Sequence, residues 1–89
     1  MTIDNVINVL NEAAELLARK NGDYGDGIFE PDIFGTPPTF AIKSRIGDKI
    51  RRLKSLFAGR VPATAETIDD TEIDLIGYLA FDIALRRAE

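Results

Sequence analysis

The stretch KNGDYGDGIFEPDIFGTPP, Lys20 to Pro38, constrains this chain more than any other feature. It holds four of the seven glycines and three of the four prolines, so no continuous helix is expected to run through it. A connection of this length without structure of its own is uncommon in a compact domain, and such loops are usually functional or disordered. The flanking residues, 1–20 and 39–89, must therefore supply whatever core the chain builds.

With 89 residues there is room for one domain, 1–89, and for a small core. Chains of this size often gain stability from disulfides, metals or self-association. Cysteine and histidine are both absent, which excludes disulfides and Cys/His zinc sites and leaves only hard cations held by carboxylates. A homo-oligomer is therefore expected. The formal net charge of −4 argues against nonspecific nucleic-acid binding, which rests on neutralising phosphates with Lys and Arg. The opening MTIDNVINVL lacks the basic flank and apolar run of a secretory signal, and no apolar stretch approaches a membrane span. A cytoplasmic protein without a membrane partner is the expectation.

Periodicity predicts an all-α fold of three helices, about 3–20, 39–58 and 66–87, with a loop at 21–38. In the first helix Ile3, Val6, Ile7, Leu10, Ala13, Ala14 and Leu17 fall on one face, Thr2 is placed to cap it, and Asn21-Gly22 reads as a stop. The second helix opens after Pro37-Pro38 with Thr39 as candidate cap, carries Ile42, Ile46, Ile50, Leu53 and Phe57 on one stripe, and ends at Gly59. Gly47 inside it costs about 1 kcal/mol relative to Ala, so it calls for a reason such as close packing or a ligand. In the third helix Thr67 and Asp70 have capping-box spacing, and Ile73, Ile76, Leu79, Ala80 and Ile83 form the expected buried face. Leu75, Phe81 and Leu85 widen that face toward a second neighbour, which fits an oligomeric bundle. Phe29, Ile33, Phe34 and Phe40 are candidates to pin the loop to the helices.

Charge is sorted by segment. The second helix holds Lys43, Arg45, Lys49, Arg51, Arg52 and Lys54 against one acid, Asp48, whereas the third opens with ETIDDTEID. Neighbouring helices with complementary faces account for this pattern. A sharper reading puts phosphate on the row Arg45, Lys49 and Arg52, where Arg offers paired donors and Lys a mobile point charge. Glu66, Asp70 and Asp74 recur every four residues, and Glu12 and Glu15 lie three apart on a polar face with Asn8 and Arg19. Acids stacked at such spacings repel unless a cation sits among them, so Glu12, Glu15, Asp70 and Asp74 are candidate Mg²⁺ ligands. The competing explanation for Asp69, Asp70 and Glu72 is the helix dipole. Tyr24 in the loop is placed either to stack on a base or to anchor the loop. The glycines Gly22, Gly25 and Gly27 match neither a P-loop nor a dinucleotide fingerprint, and an EF-hand fails for want of side-chain oxygens. Without His or Cys, hydrolysis would need a metal-activated water.

Taken in order, KNGDYGDGIF, RIGDKIRRLKSL and ETIDDTEIDLIGYL resemble the nucleotide modification associated domain family of the first type, small phage and bacterial proteins. Asp23 to Gly25, Asp48-Lys49, Arg52-Leu53, Glu66, Asp70-Thr71, Asp74 and Tyr78 carry the likeness. It implies a phage or prophage setting in a bacterial cell and a link to nucleotide metabolism. The family is in turn similar to all-α nucleoside triphosphate pyrophosphohydrolases of the MazG type, in which acids on paired helices bind Mg²⁺. By that likeness Glu12 with Glu15 and Asp70 with Asp74 would be the two acidic pairs. Asn11 stands where an acid would adjoin Glu12, and the second pair is spaced by four rather than three.

Three functions follow as expectations. The first is a Mg²⁺-dependent nucleoside triphosphate pyrophosphohydrolase with Glu12, Glu15, Asp70 and Asp74 on metal, Arg45, Lys49 and Arg52 on phosphate, and Tyr24 or Tyr78 on the base. The second is a noncatalytic sponge that sequesters a nucleotide or cyclic nucleotide signal of host defence. The third is a helical module that binds a protein.

Overall fold

The computed structural model describes residues 1–24, 31 and 33–88, the side chains of residues 21–24, 65 and 66 excepted. Three helices and no strand occur among the described residues: α1 at Ile3–Tyr24, α2 at Pro38–Phe57 and α3 at Ala65–Ala88. None of them is long and apolar enough to cross a membrane.

Local chemistry accounts for most of the helix ends. Asn5 reaches back to α1's start, its Oδ1 accepting from the Thr2 backbone N–H at 2.8 Å and from the Thr2 hydroxyl at 3.1 Å. Asn21-Gly22 does not stop α1, which continues to Tyr24. Glycine permits a left-handed cap without enforcing one. Pro37 rather than Thr39 holds the cap position of α2 and Pro38 is its first helical residue, because a proline lacks only an N–H that this position leaves unpaired anyway. At the other end Gly59 takes φ +71, its N–H donates to the Leu56 carbonyl at 3.3 Å, and the Arg60 N–H donates to Ser55 at 3.0 Å. That paired arrangement is a Schellman cap. The capping box of α3 is Thr64 with Thr67, not Thr67 with Asp70. The Thr67 N–H donates to Thr64 Oγ1 at 3.1 Å and the Thr64 N–H to Thr67 Oγ1 at 3.3 Å.

α2 and α3 form an antiparallel hairpin. Lys43 meets Asp82, Arg45 lies over Tyr78 and Lys49 meets Asp74, so the partner numbers fall as the first numbers rise. The protected side of α2 runs Ile42, Ile46, Lys49, Leu53, Leu56, and α3 answers with Thr71, Leu75, Tyr78, Asp82, Leu85. Both follow alternating steps of four and three, the seam of two helices packed side by side. This corrects the expected stripes. Ile50 and Phe57 remain 45% and 69% exposed on α2, and Leu79 and Ile83 are exposed on α3, because each lies one position round the helix from the seam. Lys49, Thr71 and Asp82 fill seam positions that an apolar-only reading passes over. Thr71 is tolerated there because its hydroxyl donates to the Thr67 carbonyl at 2.8 Å.

The width of α3 is used by two neighbours, as its apolar breadth implied. Its other side takes α1, where Leu17 Cδ2 would lie 3.2 Å from a Cβ on Gly77 and Lys20 reaches Asp74. Gly77 is thus the close-packed glycine. Gly47 is not, since a Cβ there would meet nothing among the described residues nearer than Arg51 Nη1 at 3.8 Å. Ile33, Phe34 and Phe40 leave most of their surface open rather than buried against the bundle. They are 93%, 86% and 63% exposed, and Phe29 lies outside the described residues.

Candidate functional site

The densest charged arrangement centres on Asp74, where the three helices meet. Its Oδ1 accepts from Lys20 Nζ of α1 at 3.1 Å, and its Oδ2 lies 3.2 Å from Lys49 Nζ of α2. Partial burial on its own raises the pKa of Asp74, but the hydrogen bonds and charges of Lys20 and Lys49 outweigh it and hold the carboxyl below its ordinary 3.8. One turn further along α3, the Tyr78 ring lies under the Arg45 guanidinium, 5.8 Å from ring centroid to Cζ. This is cation–π range. Asp82 closes the row: Lys43 Nζ is 3.3 Å from its Oδ1 and Arg86 Nε 3.2 Å from its Oδ2. Burial raises its pKa also, and the two bases reverse the effect. Lys43 Nζ donates to Oδ2 at 3.5 Å, whereas Oδ1 receives no hydrogen bond and meets Lys43 by charge alone.

The structure brings together part of the expected site. Arg45, Lys49 and Tyr78 are neighbours across the α2–α3 seam, while Arg52 is exposed on α2 one turn beyond Lys49. Glu12 and Glu15 are exposed on α1, whereas the side that meets α3 carries Ala13, Leu17 and Lys20. Asp70 is exposed on α3. Among the described residues no three acidic side chains gather as a metal site would require. Asp74, the most enclosed of the four proposed Mg²⁺ ligands, faces two ammonium groups that a cation would have to displace. The side chains of Tyr24 and Glu66 lie outside the described residues. Asp48 pairs with Arg51 within α2.

Lys20, Lys43, Asp82 and Arg86 were not singled out from sequence. Lys20 sits beside the apparent stop of the first helix, and Asp82 interrupts an apolar run, which alone marks it as a residue in need of a partner. The complementary charge of the second and third helices is realised in the Lys43–Asp82 and Lys49–Asp74 pairs.

No family model, curated protein or solved structure matches this chain.

The Asp74 contacts predict a specific acid response. A depressed carboxylate stabilises the fold fully above its ordinary value of 3.8, and that contribution is lost as pH falls through the lower folded-state pKa. Lys20 is half exposed and Lys49 more enclosed, so the two pairs together are worth roughly 1 kcal/mol. Denaturant titrations of the wild type and Asp74→Asn should differ by about that amount at neutral pH and converge below pH 3.8. A difference that persists in acid would assign the effect to something other than ionisation.

Proposed function

We propose that this protein is a noncatalytic nucleotide binder that sequesters its ligand on the face where Arg45 of α2 meets Tyr78 of α3. The observation that carries this reading is the Arg45–Tyr78 pair, a guanidinium resting on an aromatic ring, with Lys49, which Asp74 also holds, one turn along. Such a surface suits a ligand with a flat base and a phosphate, because the ring offers stacking and the guanidinium offers paired donors. Arg52 extends the cationic row. The likeness to the nucleotide modification associated domain family points to the same ligand class and to a phage setting, in which a sponge for a nucleotide or cyclic nucleotide signal has a use.

The hydrolase reading draws less support. Glu12 and Glu15 stand on the exposed side of α1, and Asp74 is engaged by Lys20 and Lys49. Among the described residues the expected carboxylates do not gather at one point, so no step is routed through Mg²⁺.

The test is incubation with a panel of nucleoside triphosphates and cyclic dinucleotides, with and without Mg²⁺, followed by heat denaturation and analysis of the released ligand. Intact ligand, retained without metal, is the expected result; pyrophosphate or monophosphate would restore the hydrolase, and no binding of any member would leave a protein-binding module. Arg45→Ala should weaken binding about tenfold to a hundredfold, the size of one charge-assisted phosphate contact. Tyr78→Ala should weaken it with little change in salt dependence, since it removes a stacking surface rather than a charge.

A further inference from the structure

The single chain leaves more surface open than a protein of its mass ordinarily does. It exposes 6666 Å², against about 5,200 Å² for a folded monomer of 9.8 kDa. Its radius of gyration is 14.6 Å, against about 12 Å for a compact chain of this length. The excess of roughly 1,500 Å² exceeds what one partner contributes to a standard protein–protein contact, about 800 Å². Only Ala13, Ile42 and Leu56 are buried apolar side chains among the described residues.

Much of the open apolar surface lies on the first half of α1. Ile3, Val6, Ile7, Val9 and Leu10 are 68%, 43%, 45%, 42% and 50% exposed. They occur on a helix whose second half is covered by α3 through Ala13, Leu17 and Lys20. Val6, Val9 and Leu10 line an apolar groove that Ile76 of α3 closes on one side.

The residues around this groove say what covers it. From Asn5 to Asn11 the sequence reads NVINVLN, with no charge, in a chain of which 29% is charged. A contact across a two-fold axis sets each residue near the axis against its own copy, so like charges there repel and neutral residues are required. The only polar residues in the segment are Asn5, Asn8 and Asn11; the Oδ1 of Asn5 is taken by Thr2, whereas the amides of Asn8 and Asn11 both donate and accept, so they can pair with identical groups. A foreign partner would place no such demand on the segment.

We infer that the first half of α1 is a self-association surface, packed against α1 of a second copy of this chain about a two-fold axis near Ile7, at the centre of the uncharged segment. The assembly is a dimer or is built from dimers. It is independent of nucleotide binding, since Arg45, Lys49 and Tyr78 lie on the other two helices.

The chain has no cysteine, so single introduced cysteines report cleanly on proximity. Light scattering on the full chain at micromolar concentration should give an even multiple of the 9.8 kDa protomer mass. Leu10→Glu should weaken association at least a hundredfold and yield monomer. Ile7→Cys, which keeps a small apolar side chain at the surface, should cross-link to its own copy under mild oxidation; Ser44→Cys, exposed on α2, should not. If Leu10→Glu fails to fold, the cysteine pair decides alone: selective cross-linking at position 7 supports the surface, and its absence overturns it. A wild type that stays monomeric, whether the groove is filled within the chain or by a different protein, also overturns it. So does an oligomer that survives Leu10→Glu without cross-linking through Ile7→Cys, which would move the contact to another exposed face such as that of Phe40 and Phe57.

Discussion

Replacing Ile42 with alanine is expected to lower the unfolding free energy by about 2–5 kcal/mol, the usual cost of emptying a filled core position. Ile42 is the one described side chain with no exposed surface, and it opens the α2 seam beside Lys43, whose ammonium holds Asp82. An 89-residue domain has total stability on the order of 5–10 kcal/mol, so this one truncation removes a large share of it. The informative control is Ile50→Ala. Periodicity alone puts both isoleucines on one stripe, whereas the folded chain leaves Ile50 45% exposed, and its truncation should cost under about 1 kcal/mol. Denaturant titration followed by circular dichroism, at one fixed protein concentration, separates the two cases. Equal losses would show that the seam does not run through Lys49.

The second large effect is expected at Gly77. Valine there puts a Cβ 3.2 Å from Leu17 Cδ2 and 3.5 Å from Leu17 Cγ and adds two methyl groups beyond it. α1 must move off α3 to make room, which draws Lys20 from Asp74, and the overpacking should cost about 1–3 kcal/mol despite a few tenths gained in helix propensity. Gly77→Ala is near neutral, because relief of the glycine penalty, about 1 kcal/mol, opposes a tight contact that the flexible end of Leu17 can yield. Gly47→Ala should instead stabilise by about 0.5–1 kcal/mol, since its Cβ enters ordinary contact only. Thermal unfolding orders the three variants. Hydrogen exchange should show protection lost in α1 for Gly77→Val alone. If Gly47→Ala stabilises the fold but weakens nucleotide binding, Gly47 is kept for the ligand rather than for packing.

The proposed site was legible in sequence to the extent that it depends on residue type. Arg45, Lys49 and Arg52 share a helix face by spacing, and the structure sets the first two beside Tyr78 and Asp74. The acidic row was misleading for a physical reason. Spacing puts Asp70 and Asp74 one above the other, but it carries no information about Lys20, fifty-four residues away from Asp74, or about which side of α1 turns inward. Glu12 and Glu15 looked available to a metal because a helix taken alone has no inside.

What the sequence determined by itself is what neighbours within one or two turns control. Pro37-Pro38 and Gly59 bound α2, a threonine box starts α3, though it is Thr64 with Thr67 rather than the expected Thr67 with Asp70, and three runs of apolar residues at helical spacing give three helices. These signals act through backbone dihedrals and nearby hydrogen bonds, so they need no partner. The choice of seam was decided only by tertiary structure. Apolar residues surround much of α2 and α3, so several stripes bury comparable area, and periodicity does not rank them. In the folded chain the seam that closes on Ile42, Ile46, Leu53 and Leu56 also sets Lys43 at Asp82 and Lys49 at Asp74, and it leaves Ile50 and Phe57 outside.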